Sequence, residues 1–108
     1  MTLSEGPFVA TTAGEKTEEL RSDSDWIRSR LFDKQGNLRH YDTIQYYHGP
    51  ILSEEYAKCE VEFAGVQWVG DDFILGPYTN GFEATLRGGC WVISHGRILS
   101  ASCVPSRL

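Results

Sequence analysis

Long hydrophobic runs are missing from this 108-residue sequence. No stretch approaches the roughly 20 apolar residues that cross a bilayer, so the sequence predicts no transmembrane helix and no membrane partner. The first residues, Met-Thr-Leu-Ser-Glu-Gly-Pro, contain neither the basic region nor the apolar region of a secretory signal. An Asn-x-Ser/Thr glycosylation acceptor is also absent. These absences together predict a cytoplasmic protein.

Cysteine is scarce, with three residues at Cys59, Cys90 and Cys103. An odd number of cysteines without a Cys-x-x-Cys pair argues against a secreted disulfide framework. We expect three reduced thiols that pack as small apolar side chains. The run Gly-Gly-Cys-Trp around Cys90 resembles the nucleophile segment of papain-like proteases, in which the cysteine opens a helix. Cys90 instead opens a predicted strand, so we expect no catalytic cysteine.

Basic residues are few and do not cluster. Ten lysines and arginines stand against 15 acids, which gives a net charge of −5. A nucleic-acid partner requires a clustered basic footprint, so the sequence predicts no nucleic-acid binding. Residues 54–86 carry seven acids and one base, whereas residues 87–108 carry three arginines and no acid. This segregation is compatible with an acidic face for a basic protein partner, and equally with solvated strand faces.

The residues that are present have the composition of one globular domain. Hydrophobic residues make up 41% of the chain and aromatic residues 12%. A chain of this length buries roughly 65% of its unfolded surface, which suffices for folding without metal or disulfide. We predict a single α+β domain over residues 17–108. Residues 1–16 are interpreted as a flexible arm, or as an edge strand around Phe8-Val9-Ala10.

One helix is predicted over residues 23–34. Short polar side chains at 22–25 are typical of a helix N-terminus. Ile27 and Leu31 follow at helical spacing, and Gly36 is a C-terminal stop signal.

The second half of the chain predicts strands. The β-branched and aromatic residues of 38–48 favour a first strand. Cys59, Val61 and Phe63 alternate with acids, which indicates a half-buried strand, and the alternation changes parity at Gly65, where we predict a β-bulge.

Three two-residue turn signals, Asn80-Gly81, Gly88-Gly89 and His95-Gly96, follow this strand. They predict a meander of strands at 73–79, 82–87, 90–94 and 97–103. The register that these turns imply places Ala84 opposite Ile93 and Ile93 opposite Ile98.

The predicted fold class is α+β, with an N-terminal helix packed on a curved antiparallel sheet. This order of elements resembles the cone-shaped barrels of the nuclear-transport-factor-2 type, including the SnoaL-like proteins. The resemblance rests on element order alone and implies a cone-like barrel without assigning a function.

Aromatic side chains are numerous enough to line a pocket between the helix and the sheet. A small organic ligand in such a pocket is the favoured function, although a plain core would use the same residues. The predicted ligand-binding residues are Trp26, Tyr46, Phe63, Trp68, Phe73 and Trp91.

A catalytic alternative rests on His40 and Asp42, which share one face of the predicted strand. A carboxylate beside an imidazole can orient the ring for acid–base chemistry, so a small hydrolase or isomerase is an alternative function. The spacing of His40, Asp42 and His48 matches no known metal pattern, so no metal and no cofactor are predicted. A third alternative is an acidic inhibitor-like or immunity-like module that uses residues 54–72.

A homodimer is expected from a mildly apolar stripe on the outer face of the predicted sheet. The stripe contains Val92, Leu99 and Ala101, and exposed stripes of this kind often mark subunit contacts. The opposing possibility is that residues 1–16 fold back over the same face.

Overall fold

A computed structural model describes residues 1–49 and 57–102 of the chain. These residues form an α+β fold whose antiparallel sheet is strongly curled into a half-barrel, which confirms the predicted fold class. The described elements, in chain order, are α1 (Glu5–Thr12), β1 (Glu18–Arg21), α2 (Asp25–Leu31), β2 (Thr43–His48), β3 (Ala57–Val69), β4 (Phe73–Leu75), β5 (Ala84–Leu86) and β6 (Cys90–Ser102).

Two long strands, β3 and β6, form the centre of the main sheet. Each has 13 residues, and the strand order is β1-β6-β3-β2 with antiparallel pairing throughout. β4 and β5 pair with each other in a separate two-stranded sheet. None of the helices in the described part of the chain has the length and apolarity needed to cross a membrane.

Irregular pairing between β3 and β6 accounts for the curl of the sheet. Phe63 lies opposite His95, yet Gly65 lies opposite Ser94, so β3 carries one extra residue there. The β-bulge predicted at Gly65 is therefore confirmed. Two further register shifts lie within residues 60–63 of β3. Bulges bend a strand and increase its twist, so closely spaced irregularities curve the sheet.

The predicted meander order is wrong. β6 continues through His95-Gly96 without turning, and Ile93 lies opposite Val66 of β3 and Glu19 of β1. The turn signal fails because β3 pairs with β6 on both sides of Gly96, with Phe63 opposite His95 and Val61 opposite Ile98, and Gly96 does not adopt a positive φ. The extra residue of β6 between these pairs is accommodated as a register shift, so long-range pairing outweighs the local preference for a two-residue turn.

The Gly88-Gly89 segment likewise does not join two paired strands. β5 pairs back onto β4, with Leu86 opposite Phe73 and Ala84 opposite Leu75, rather than forward onto β6. The Asn80-Gly81 turn does lie between these two strands. There, the Gly81 backbone N–H donates to the Tyr78 carbonyl at 2.8 Å.

The N-terminal segment differs from the predicted arm or edge strand. Residues 5–12 form α1, and residues 1–3 pair alongside β2, where the Leu3 N–H donates to the Tyr47 carbonyl at 2.7 Å. Pro7 lies in the first turn of α1, where a missing N–H is tolerated. Burial of Leu3 and Phe8 against the sheet supplies the stability that this short helix lacks by itself.

The other boundaries are shorter than predicted. α2 begins after Ser24, whose hydroxyl accepts from the Ile27 N–H at 3.1 Å, and ends where Phe32 becomes extended. The strand predicted over 38–48 begins at Thr43.

The apolar residues of the main sheet form two layers. On one face, here called the helix-covered face, Ile93 packs with Ile27 and Leu31 of α2, and Tyr46 packs with Phe8 of α1. On the opposite face, a cluster is covered by the β4–β5 hairpin, and its buried members are Leu20, Leu75, Cys90 and Val92. This division follows from side-chain alternation, because successive residues of β6 point to opposite faces.

Gly88 and Gly89 allow a direct test of packing at the start of β6. Both have positive φ, but a Cβ on Gly89 would lie 2.7 Å from Cζ2 of Trp68, whereas a Cβ on Gly88 would meet nothing within 4 Å. We expect Gly89→Ala to lower the free energy of unfolding by about 2–4 kcal/mol, because backbone strain adds to a displaced indole ring. Gly88→Ala should lower it by about 1 kcal/mol through backbone strain alone. Equal losses in urea denaturation would contradict the close approach of Trp68.

Candidate ligand-binding cleft

A cleft of about 340 Å³ opens between α2 and the helix-covered face of the sheet. Its volume lies near the lower end of the range for ligand sites. Its lining consists of Met1, Trp26, Arg30, Leu31, Tyr41, Thr43, Ile44, Gln45, Phe63 and Ile93.

Helix α2 places Trp26 and Arg30 together at the cleft. Residues four apart lie on the same side of a helix, and the guanidinium of Arg30 lies 5.3 Å from the centre of the Trp26 ring. Ile27 and Leu31 anchor the other side of α2 in the core, which turns Trp26 outward. Trp26 is 49% exposed, so a large apolar surface borders the cleft.

The segment between α2 and β2 supplies a second wall. The hydroxyl of Tyr41 donates to the backbone carbonyl of Arg30, and the Tyr41 ring packs edge-on against Phe63 with ring centres 5.9 Å apart. The side chain of Arg39 donates to the carbonyls of Ser29 and Phe32, both at 3.1 Å, which satisfies backbone acceptors at the end of α2. These contacts fix the wall against the helix.

None of the cleft-lining residues within 1–49 and 57–102 is a carboxylate, although the chain carries 15 acids. Arg30 makes no ion pair within residues 1–49 and 57–102. Other arginines are paired: Arg28 contacts Asp23 through two hydrogen bonds, and Arg97 lies 3.3 Å from Glu62. Arg30 is therefore a cation without a carboxylate partner among the described residues, at the edge of a largely apolar space.

The six predicted ligand-binding residues are distributed over four places. Trp26 and Phe63 line the cleft. Tyr46 is fully buried, Phe73 packs with the β4–β5 cluster, and Trp68 and Trp91 contact each other edge-to-face with ring centres 5.1 Å apart. The Trp91 indole N–H donates to Asp23 at 3.1 Å, beside the start of α2. Side-chain alternation along a strand shows which face a residue lies on, but it does not show whether that residue lines a cleft or packs in the core.

His40 and Asp42 come together but lie outside the cleft. Nε2 of His40 is 3.1 Å from Oδ1 of Asp42, and both side chains are 89% exposed. Neither residue lines the cleft, and both precede β2 rather than lying within it. An imidazole so exposed has no enclosed space beside it in which a substrate would be shielded from water.

A buried polar cluster lies beneath the end of α1. Nζ of Lys16 donates to Oε1 of Glu19 at 2.8 Å, and the other oxygen of Glu19 contacts Arg21 at 2.8 Å. Tyr46 packs edge-on against His95, with ring centres 5.5 Å apart, and Nζ of Lys16 lies 5.9 Å from the centre of the Tyr46 ring. We call Lys16, Glu19, Tyr46 and His95 the buried polar cluster.

Burial dominates the chemistry of this cluster. It lowers the pKa of His95 to about 4, with the positive charge of Lys16 adding to the effect, and it raises the pKa of Tyr46 above its usual value. The Tyr46 hydroxyl and both ring nitrogens of His95 have no hydrogen-bond partner among the described residues. His95 is therefore a neutral imidazole near pH 7, enclosed beside a buried ion pair.

The two cysteines of the described residues are buried in the fold. Cys59 and Cys90 are buried and unpaired, and burial raises the pKa of each thiol, which disfavours a reactive thiolate. Cys103, Glu54 and Glu55 lie outside the described residues.

Three of the acids on β3 and the β3–β4 turn have partners within the chain. Glu60 accepts from the side chain of Gln45 at 3.1 Å, and Glu62 and Asp72 contact arginines. The predicted acidic face is thus partly neutralised by local contacts.

The stripe predicted as a subunit contact is divided by the fold. Val92 is 4% exposed and lies beneath the β4–β5 hairpin, so it cannot face a second copy. Leu99 and Ala101 remain exposed on β6. The sequence placed Val92, Leu99 and Ala101 on one face because a turn was expected at His95-Gly96. β6 instead continues through these residues, and its pairing with β3 is irregular, so the three side chains do not form one stripe. The homodimer itself stays a prediction.

Sequence reasoning missed the polar members of the cleft and of the buried cluster. The i,i+4 spacing of Trp26 and Arg30 is the signal that could have placed Arg30 beside an aromatic wall. No sequence signal marks Lys16 and Glu19, because the same pair is common on solvent-exposed surfaces. No family model, curated protein or solved structure matches this chain. The nuclear-transport-factor-2 resemblance therefore remains one of element order.

Proposed function

We propose that this protein is a small-molecule-binding domain whose ligand occupies the cleft between α2 and the sheet. The observation that carries the proposal is the half-exposed Trp26 at the edge of a largely apolar space of about 340 Å³. Leu31, Ile44, Phe63 and Ile93 provide apolar lining. Ligand sites are commonly concave, mostly apolar and supplied with a few polar groups, and this cleft has that composition.

Energetics support the same proposal. Apolar surface gains roughly 25 cal/mol for each Å² removed from water, so the exposed face of Trp26 is an unfavourable feature of the free protein that a ligand would relieve. The walls are also held in place before binding, because Tyr41 and Arg39 tie the loop to α2. A preformed site requires little ordering when a ligand enters.

The alternative functions receive less support from the described geometry. The His40–Asp42 pair is exposed on both sides and lies away from the cleft. The acids of β3 have local partners, which weakens the argument for a free acidic surface. We therefore place the function in the cleft.

The proposal predicts that small aromatic molecules bind beside Trp26. We expect a panel of neutral and anionic one-ring and two-ring aromatic compounds, tested at millimolar concentration, to contain members that shift the indole N–H signal of Trp26 in NMR spectra. Trp26→Ala should weaken their binding about tenfold, because it removes aromatic contact surface and the support for Arg30.

Trp68→Ala is the matched control, because Trp68 has similar exposure but lies outside the cleft. It should leave the affinities unchanged. A panel that shifts the signals of Trp68 or Trp91 but not that of Trp26 would contradict the proposed site.

A further inference from the structure

We infer that the ligand of the cleft is an aromatic carboxylate whose anionic group is bound by Arg30. This inference rests on the proposed function, since it names the class of molecule that would occupy the same cleft. It rests on the hydrogen bonds that the polar side chains of the described lining residues make.

The polar groups on the β2 side of the cleft are already engaged. The hydroxyl of Thr43 and the amide nitrogen of Gln45 both donate to Oε2 of Glu60, at 3.4 and 3.1 Å. The amide oxygen of Gln45 accepts from the hydroxyl of Tyr47. These groups are turned toward Glu60, which itself does not line the cleft.

Most polar groups on the remaining walls are engaged as well. The hydroxyl of Tyr41 donates to the Arg30 carbonyl, and the N-terminal ammonium of Met1 donates one of its three N–H groups to the Gln45 carbonyl at 2.8 Å. Within the described residues, the guanidinium of Arg30 and the indole N–H of Trp26 have no hydrogen-bond acceptor. These two groups and the remaining N–H groups of Met1 are all donors, so a complementary ligand must present acceptors.

The positive charge of Arg30 favours an anionic acceptor on the ligand. Arg30 is a permanent cation, and no carboxylate among the described lining residues neutralises it. The chain as a whole has a net charge of −5, so local positive charge in the cleft is not part of a general basic surface. A guanidinium binds a carboxylate through two parallel hydrogen bonds, and the N-terminal ammonium of Met1 adds a second positive charge to the cleft lining.

The position of Trp26 favours this role for Arg30. A guanidinium over an indole ring keeps its N–H edges available while its face is occupied. Ile44 and Phe63 are partly buried lining residues that offer apolar surface to the ring of the ligand. Trp26 is thus a positioning residue for Arg30 as well as a wall of the cleft.

The test compares 1-naphthoate with 1-naphthamide, which differ in charge but share their ring system. Affinities are measured by NMR titration on the intact chain and on two charge-matched variants, Arg30→Met and Arg97→Met. Arg97 is the control because it is an exposed arginine outside the cleft, and its loss changes the net charge equally. Arg30→Lys, which keeps the charge and loses the planar fork, is the fourth protein.

We expect the natural chain to bind 1-naphthoate at least about tenfold more tightly than 1-naphthamide, as a hydrogen-bonded charge pair provides. Arg30→Met should abolish this preference, because it weakens binding of 1-naphthoate far more than binding of 1-naphthamide, and Arg97→Met should retain the preference. Arg30→Lys should show a reduced preference. Circular dichroism of each variant confirms that α2 is intact.

Equal affinities for the two probes in the natural chain would overturn the inference and leave the proposed function standing. The same conclusion follows if Arg30→Met keeps the preference for 1-naphthoate. If neither probe shifts the Trp26 indole signal while other aromatic compounds of the panel do, the carboxylate class is wrong and the cleft remains a binding site. If no compound shifts it, both proposals fail.

Discussion

Replacing Glu19 with leucine is expected to lower the free energy of unfolding by about 3–5 kcal/mol, which makes it one of the most destabilising single changes in this chain. Glu19 contacts both Lys16 and Arg21 at 2.8 Å, and Lys16 is 1% exposed. Without the carboxylate, the buried ammonium of Lys16 has no counter-charge and cannot regain water. Urea denaturation monitored by tryptophan fluorescence measures the loss.

Two further variants separate the ion pair from a general packing defect. Lys16→Met should cost less than Glu19→Leu, because Glu19 would still be paired with Arg21. The double variant Lys16→Met, Glu19→Leu should recover stability to within about 1 kcal/mol of the natural chain, since apolar groups of similar volume replace a buried pair well. Additive losses in the double variant would contradict the account of the buried polar cluster.

Acidification from pH 6.5 to pH 4 is expected to reduce the free energy of unfolding by about 3 kcal/mol through His95 alone. Burial lowers the pKa of this imidazole to about 4, with Lys16 as a second cause, whereas an unfolded histidine titrates near its ordinary value of 6.5. The unfolded chain therefore takes up a proton in this interval that the folded chain does not. Stability attributable to His95 is complete above pH 6.5 and declines as the pH falls.

His95→Leu tests this expectation, and His40→Gln is the matched control because the His40 side chain is 89% exposed. The leucine variant should lose the slope of stability against pH between 6.5 and 4.5, and the glutamine variant should keep it. Glu15, whose pKa is lowered by hydrogen bonds from Thr79, loses its contribution to stability mainly below its ordinary value of 4.5, so the slope is compared between pH 6.5 and 4.5. A slope that persists in His95→Leu would show that His95 does not carry the effect.

Local sequence signals predicted those parts of the fold that depend on local structure. The alternation of Cys59, Val61 and Phe63 gave a strand, and the change of parity at Gly65 gave the bulge. The helix around Ile27 and Leu31 was predicted because a cap precedes an amphipathic segment. Each of these features is decided within a few residues, where spacing and backbone preference are informative.

Strand order could not be predicted, because it depends on residues far apart in the chain. β1 pairs with residues 91–94 of β6, roughly seventy positions later, and β3 pairs with β6 on both sides of His95-Gly96, where a turn was expected. α1 lacks a clear apolar stripe and forms because Phe8 docks on the sheet. Tertiary contacts override local preference in both cases.

The sequence predicted a pocket between the helix and the sheet, but it did not predict most of the residues that line the cleft. A pocket between the helix and the sheet was expected, and Trp26 and Phe63 line the cleft that is found there. Aromatic content could not show that Tyr46 is buried or that Trp68 and Trp91 contact each other, because core and pocket use the same side chains. Arg30 became identifiable once the partners of the other polar groups were known.

Chemical-shift mapping of the whole backbone during titration with 1-naphthoate tests the central claim most directly. The account predicts that the perturbed amides cluster on α2, on the segment around Tyr41, and on β2 and β3 near Phe63, with the Trp26 indole signal moving in step. Perturbations centred on the β4–β5 hairpin, or spread evenly over the sheet without a response at Trp26, would contradict it.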